Sequence, residues 1–144
     1  MFATGIPLEE HLARHRLADL FLDTLPYNAH TTGNDALWAG LPLLTCEGTT
    51  FPGRVAASLL RAARVPELIA GSLAEYEAMA VKLVEDPALL ASLKAKLAAN
   101  RGSCVLFNPE RFARHIEAAF AAMWERAQRG EASESFAEIG RAHV

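Results

Sequence analysis

Short apolar runs alternate with helix-length segments through the first half of the chain, and this alternation limits the folds it can adopt. The largely apolar runs cover residues 18–23, 41–46 and 67–70, and the segments with helical character between them cover 33–39 and 54–63. Apolar runs of this length, bounded by Gly, Pro or Asn, are typical of buried parallel strands. Their alternation with helices predicts an α/β fold with a partial Rossmann-like parallel sheet, flanking helices and right-handed crossovers.

The second half of the chain predicts helices only. Three helix starts are indicated by a capping residue, in the segments Ser72-Leu73-Ala74-Glu75, Asp86-Pro87 and Asn108-Pro109. The last helix carries an apolar stripe that we expect to pack in a core, formed by Phe112, Ile116, Phe120, Met123 and Trp124. The polar residues 131–144 predict a flexible tail.

The composition excludes several classes of function. The 144 residues carry a formal net charge of −3 and are 51% hydrophobic, which predicts a folded domain and gives no electrostatic basis for binding nucleic acid. No apolar run reaches the roughly 18 residues that span a bilayer, and no cleavable leader opens the chain. Cys46 and Cys104 are expected to be buried free thiols. We therefore expect a cytoplasmic protein with no nucleic-acid or membrane partner.

The most polar junction between a predicted strand and a predicted helix lies at residues 28–35. Ligands of open α/β sheets bind at such junctions, where helix N-termini present unpaired N–H groups to anions. Thr31 and Thr32 add hydroxyl donors, and Gly33 is expected to let the backbone approach a phosphate closely. The same residues also match a simple capping pattern from Thr32 to Asp35, so the spacing alone leaves a helix cap as an alternative.

Two further junctions carry polar residues that could meet a nucleotide. The opening residues 1–5 predict the end of a strand, and a helix follows that includes His11 and Arg14. These two residues are three apart and share a helix face, where an imidazole can stack on a base and a guanidinium can donate to it. Residues 48–54 form a third junction with hydroxyls and a cation. Taken singly, these residues fit an ordinary surface equally well.

The order and spacing of these blocks resemble the O-linked N-acetylglucosamine transferases and their bacterial relatives. The resemblance covers roughly residues 1–130, and several separated blocks in one order make it more specific than any single motif. The blocks that carry it are Leu17-Ala18-Asp19, Leu22-Asp23-Thr24, Asn28-Ala29-His30-Thr31-Thr32-Gly33-Asn34-Asp35, Arg54-Val55-Ala56-Ala57-Ser58, Glu67-Leu68-Ile69-Ala70, Leu106-Phe107-Asn108 and Met123-Trp124-Glu125.

The resemblance implies the C-terminal, donor-binding lobe of a two-lobed GT-B glycosyltransferase, with residues 1–130 as a nucleotide-sugar-binding half-domain truncated at its N-terminus. The implied reaction is inverting transfer of a sugar, GlcNAc by this resemblance, from a UDP-sugar to a Ser or Thr hydroxyl of a protein, with no metal and no other cofactor. By position, the donor diphosphate and sugar are contacted by His30, Thr31 and Thr32, and the nucleoside by Ile6, His11, Arg14 and Asp35.

The resemblance also implies what these residues lack. The family's catalytic lysine and its acceptor-binding regions lie in segments outside this sequence, so we expect no complete catalytic set, no turnover by the isolated chain, and a surface that could form a homodimer. The family's ribose-binding lysine corresponds to Leu8 here. Two alternatives therefore stay open, a GDP-sugar (fucose) transferase relative and a non-catalytic α/β interaction module.

Overall fold

The computed structural model describes residues 4–136, which form three strands and six α-helices. The strands are β1 (Phe21–Leu22), β2 (Leu43–Cys46) and β3 (Ile69–Ala70). The helices are α1 (Leu8–Arg14), α2 (Thr31–Ala39), α3 (Val55–Ala62), α4 (Leu73–Glu85), α5 (Pro87–Arg101) and α6 (Pro109–Gln128). The chain forms two compact units, of which the first ends at Phe107 and the second begins at Asn108, so α6 belongs to the second unit. In the described part of the chain, no helix is both long enough and apolar enough to cross a membrane.

The three strands form one parallel sheet in the order β1-β2-β3, as the alternating pattern predicts. Phe21 is in register with Leu43, and Thr45 with Ile69. All four residues of β2 are buried, and because neighbouring side chains on a strand point to opposite faces, both faces of β2 are covered. Helices α2, α3 and α4 each contact β2. The central strand is therefore the core of the first unit.

The strands are shorter than the apolar runs that predict them. The N–H of Leu41 donates to the carbonyl of Ala36 at 2.9 Å, which closes the end of α2, and Pro42 has no N–H to pair. Strand β2 therefore begins at Leu43. Residues Pro66–Leu68 form a 3₁₀ turn instead of the first part of a strand. The predicted strand over 1–5 lies partly outside the described residues, and its last two residues, 4 and 5, are irregular.

The helix boundaries follow the capping residues closely. The Ser72 hydroxyl accepts the Glu75 N–H at 3.2 Å. The Asn108 carboxamide oxygen likewise accepts the Arg111 N–H at 2.8 Å, and the Asp86 carboxylate accepts the Leu89 N–H at 2.9 Å. Helix α2 ends at Gly40, whose φ of 88° is a left-handed conformation that favours glycine. These starts and this stop are confirmed.

The apolar stripe of α6 is not packed as predicted. Phe112, Phe120, Met123 and Trp124 are at least half exposed, and Ile116 is partly buried. The expectation of core packing is therefore wrong for most of this stripe. By contrast, Cys46 and Cys104 are buried free thiols, as predicted.

Gly33 has a packing role that the sequence does not predict. The residue is buried in the first turn of α2. A Cβ added there would lie 3.0 Å from Leu43 Cδ1 and 3.2 Å from Ala29 Cβ. Leu43 is fully buried and has no space into which it can retreat. The absence of a side chain at Gly33 thus allows the start of α2 to pack closely on β2.

Gly33→Ala is expected to lower the free energy of unfolding by about 1 kcal/mol. Overpacking costs about 1–3 kcal/mol, and the better helix propensity of alanine offsets about 0.5–1 kcal/mol of that. Urea denaturation followed by circular dichroism measures the change. Gly102→Ala is the control, since nothing lies within 4 Å of a Cβ added there and its φ is −81°. Equal stability changes in the two variants would contradict the packing role.

The end of β2 is joined to α3 by an ion pair. Both carboxylate oxygens of Glu47 accept hydrogen bonds from the Arg61 guanidinium, each at 2.7 Å. The hydrogen bond from Arg61 is the main reason that the pKa of Glu47 lies below its usual value. Lowering the pKa of a carboxyl stabilises the folded state above the unfolded pKa, and this contribution disappears as the pH falls through the folded pKa.

Arg61→Met should therefore lower the melting temperature at pH 7 by more than it does near pH 3. At pH 7 the pair contributes in full, whereas below the ordinary glutamate pKa of about 4.3 the unfolded carboxyl is already protonated and the contribution of the pair falls as the pH approaches the lower folded pKa. Thermal melts of both chains between pH 3 and pH 7 measure the difference. Arg114→Met is the control, because Arg114 is exposed and forms no salt bridge with any residue in the range 4–136. A difference that does not vary with pH would count against the pair.

Candidate functional site

The loops that follow β1 and β2 meet at one edge of the sheet. The Asn28 N–H donates to the Pro52 carbonyl at 3.2 Å and joins the two loops. A Cβ added to Gly53 would lie 3.3 Å from the Pro26 carbonyl oxygen and 3.3 Å from Gly48 Cα, so the backbones approach one another closely. Carboxyl ends of parallel strands are where ligands bind in open α/β sheets. This edge also carries the junctions 28–35 and 48–54, which were singled out from the sequence.

The N-terminus of α2 lies at this edge without a side-chain cap. His30 is the N-cap residue, and its carbonyl accepts the first helical hydrogen bond from the Asn34 N–H at 3.0 Å. Thr31 and Thr32 are exposed, and among residues 4–136 no group accepts a hydrogen bond from their backbone N–H. The cap from Thr32 to Asp35 is absent because the helix already begins at Thr31. These N–H groups are therefore available to an anion.

An aromatic cluster surrounds His30. The Tyr27 ring stacks on the imidazole with centroids 4.8 Å apart, and the Phe51 ring meets it edge-on at 6.2 Å. His30 Nε2 is buried and has no hydrogen-bond partner within the described residues. Tyr27 and Phe51 are 61% and 73% exposed. Neither aromatic residue was predicted as a site residue, although Tyr27 directly precedes the junction 28–35 and Phe51 lies in the junction 48–54.

Helix α1 brings His11 and Arg14 together, as their spacing predicts. Arg14 Nη2 donates to His11 Nδ1 at 2.6 Å. A guanidinium stays protonated, so His11 Nδ1 is the acceptor and the neutral imidazole carries its proton on Nε2. His15, to which the sequence analysis gave no role, donates from Nδ1 to the His11 carbonyl at 2.9 Å, and its ring meets the His11 ring edge-on at 4.9 Å.

A cavity of about 400 Å³ opens beside these three residues. It is lined by His11, Arg14 and His15 on one side and by apolar residues around β1, including Leu20 and Phe21, on the other. A flat ring with polar edges fits such a boundary between apolar and hydrogen-bonding walls. Helix α1 also packs against α2. The two predicted groups of site residues thus lie on neighbouring elements.

The remaining predicted residues lie on the same elements. Ile6 is at the surface just before α1, and Leu8, the first residue of α1, is 65% exposed. Asp35 is partly buried in α2, and its carboxylate accepts no hydrogen bond from residues in the described range. In residues 4–136, no group of three or more His, Cys, Asp or Glu side chains could hold a metal ion.

Asp23 is a buried polar residue that the sequence analysis placed only in a strand. Its Oδ1 accepts the N–H of Thr24 at 2.8 Å and that of Ala29 at 2.6 Å. Its Oδ2 accepts the Thr45 hydroxyl at 2.6 Å, and its backbone carbonyl accepts the Tyr76 hydroxyl at 2.9 Å. Burial raises the pKa of Tyr76, and the nearby charge of Asp23 raises it further, so the phenol stays a donor. One sequence signal could have identified Asp23: it is an acidic residue at the end of an apolar run, directly before Thr24.

Comparison with known proteins assigns the chain to a family. The model of glycosyl transferase family 41 matches residues 1–116. A UDP-N-acetylglucosamine–peptide N-acetylglucosaminyltransferase of Caenorhabditis elegans is 40% identical over 130 residues, which are 90% of this chain and 11% of that protein. A probable enzyme of the same name from Arabidopsis thaliana, SEC, is 39% identical over 128 residues, 88% of this chain and 13% of that protein.

A solved structure shows the same fold. A mutant of the Thermobaculum terrenum O-GlcNAc transferase aligns with a TM-score of 0.83 and 35% identity, over 89% of this chain and 25% of that one. The chain therefore spans about a tenth of the curated relatives and a quarter of the solved protein. The predicted donor-lobe fold, a partial parallel sheet followed by a helical segment, is confirmed, and the chain belongs to glycosyl transferase family 41.

Proposed function

We propose that the N-terminus of α2 and the face of α1 that carries His11 and Arg14 bind the nucleoside diphosphate of a UDP-sugar. The parent protein in this proposal is an inverting transferase that moves GlcNAc to Ser or Thr hydroxyls of a protein acceptor. The observation that carries the proposal is the uncapped start of α2, with exposed Thr31 and Thr32 and backbone N–H groups that no described residue engages. The names of the similar proteins from Caenorhabditis elegans and Arabidopsis thaliana, which specify UDP-N-acetylglucosamine and peptide, support the donor and acceptor classes.

The diphosphate side of the proposed site consists of His30, Thr31 and Thr32. Hydroxyl and N–H groups of the two threonines donate to phosphate oxygens, and the positive end of the α2 dipole favours the same charge. His30 is held between Tyr27 and Phe51, which limits its rotation. This pre-set orientation reduces the entropy that a bound ligand must overcome.

The nucleoside side consists of Ile6, His11, Arg14 and Asp35. The His11 ring offers a flat face for a base, and its tautomer leaves Nε2–H as a donor. Arg14 holds the ring through Nδ1 and keeps further N–H groups for a base carbonyl. Asp35 supplies a carboxylate that accepts from ribose hydroxyls, since the described residues leave that carboxylate unengaged.

The proposed chemistry depends on charge that develops on the leaving group. When an acceptor hydroxyl attacks the anomeric carbon, the bond to the nucleoside diphosphate breaks and negative charge accumulates on the diphosphate. A donor fixed in advance toward such charge contributes about 2.7–4 kcal/mol, against about 0.3–2 kcal/mol for a helix terminus alone. The directed groups of Thr31 and Thr32 therefore contribute more than the dipole. In this proposal they take the place of a metal ion.

A GDP-sugar transferase is the second candidate, since one contact that the family makes to the nucleoside is missing here. The position of the family's ribose-binding lysine is an exposed Leu8, which cannot donate a hydrogen bond to a ribose hydroxyl. The base preference is therefore part of the test.

Replacing Thr31 and Thr32 together with alanine should lower the affinity for UDP by about a hundredfold or more. Each hydrogen bond to a charged group contributes about 1.5–3 kcal/mol, and about 1.4 kcal/mol corresponds to a factor of ten. The variant keeps the backbone N–H groups and a good helix-forming residue at both positions, so α2 should stay folded. Isothermal titration calorimetry with UDP measures the loss.

Ser58→Ala is the matched control, because Ser58 is an exposed hydroxyl on α3 and should leave the affinity unchanged. Unchanged UDP affinity in the double variant would contradict the proposed diphosphate site. Tighter binding of GDP than of UDP by the unmodified chain would select the second candidate. Failure of both nucleotides to bind would favour a non-catalytic interaction module.

A further inference from the structure

We infer that Asp23 is a positioning residue for diphosphate binding, acting through the loop that carries the start of α2. The inference rests on the proposed function and adds to it a residue that does not itself touch the ligand. Asp23 is only 6% exposed, and both carboxylate oxygens accept hydrogen bonds. No Lys, Arg or His within residues 4–136 forms a salt bridge with it. Burying a carboxylate with no cation beside it costs free energy unless hydrogen bonds satisfy its oxygens, and those hydrogen bonds hold the donor groups in place.

The carboxylate closes the loop between β1 and α2. Its Oδ1 accepts from Thr24 at the beginning of the loop and from Ala29 at the end, so one oxygen atom joins the two ends. Ala29 immediately precedes His30, the N-cap of α2. The position of this oxygen therefore determines where the helix begins and where the N–H groups of Thr31 and Thr32 point.

The carboxylate is itself held by two neighbouring elements. The Thr45 hydroxyl on β2 donates to Oδ2, and Thr45 is completely buried. The Tyr76 hydroxyl on α4 donates to the Asp23 carbonyl. These contacts tie the loop to the central strand and to α4. Asp23 thus connects the rigid core of the first unit to the proposed diphosphate site.

The sign of one substitution separates positioning from simple electrostatics. Asp23→Ala removes a negative charge close to an anion site, and the loss of repulsion alone would strengthen diphosphate binding. Loss of positioning would weaken it, because the N–H groups of the α2 start would no longer be held toward the phosphates. Weaker binding in spite of the favourable change in charge therefore identifies the positioning role.

The experiment compares UDP with uridine, which lacks the diphosphate. The unmodified chain, Asp23→Ala and Asp86→Ala are titrated with each ligand by protein NMR, below the melting temperature of every chain. Asp86 is the matched control, since it also accepts a backbone N–H, at the start of α5 far along the chain from the site. We expect Asp23→Ala to lose about tenfold in UDP affinity, with uridine affinity unchanged and Asp86→Ala unaffected for both ligands.

If Asp23→Ala does not fold, Thr45→Val takes its place in the titrations, because this variant removes only the hydroxyl that donates to Asp23 Oδ2. We expect it to lower UDP affinity in the same direction and to leave uridine affinity unchanged. UDP affinity that is equal or higher in the variants, or a parallel loss of UDP and uridine affinity, would overturn the inference while leaving the proposed site intact. Absence of UDP binding by the unmodified chain would instead overturn the proposed function, and the inference with it.

Discussion

The parallel pairing of β2 with a strand on each side is the constraint on which the rest of the first unit depends. Because all three strands run the same way, the loops after β1 and β2 emerge at one edge and contact each other there. Burial of every β2 residue fixes that edge to the core. Gly33 then allows α2 to pack on β2 with its N-terminus at the same edge. The proposed diphosphate site is thus a consequence of strand direction and close packing.

Buried polar groups make this edge precise enough for recognition. The Asp23 carboxylate joins both ends of the loop before α2 and is held in turn by Thr45. On the nucleoside side, the Arg14 guanidinium fixes the tautomer and orientation of His11. Both arrangements use permanently charged or deeply buried partners, so the side chains of the proposed site are held in place without a ligand. Preorganisation of this kind is what stabilisation of a developing anion requires.

The sequence predicts the fold well where a pattern is set by local chemistry. Alternating runs, Gly40 and the capping residues Ser72, Asp86 and Asn108 identify the sheet and most helix boundaries. Strand lengths are less predictable, because a residue can pair in the sheet through its N–H only if that group is free. The Leu41 N–H donates to α2 and Pro42 has no N–H, so β2 begins later than its apolar run. The exposure of the α6 stripe is not predicted either, since periodicity shows which face of a helix is apolar and not what covers that face.

The candidate site divides in the same way. The proximity of His11 and Arg14 follows from helical spacing, and the unpaired N–H groups of residues 31–32 follow from a helix start. The stacking of Tyr27 on His30 and the loop closure by Asp23 do not follow, because each joins residues through the three-dimensional path of a loop. The packing role of Gly33 is not predictable for a related reason, as its contact with Leu43 exists only after α2 packs on β2.

A crystal structure of the chain with bound UDP tests the central claim most directly. The account predicts phosphate oxygens within about 3 Å of the backbone nitrogens of Thr31 and Thr32, at hydrogen-bond distance, with the uracil ring beside His11. A diphosphate bound elsewhere, or a start of α2 whose N–H groups are occupied by the protein's own side chains, would contradict it.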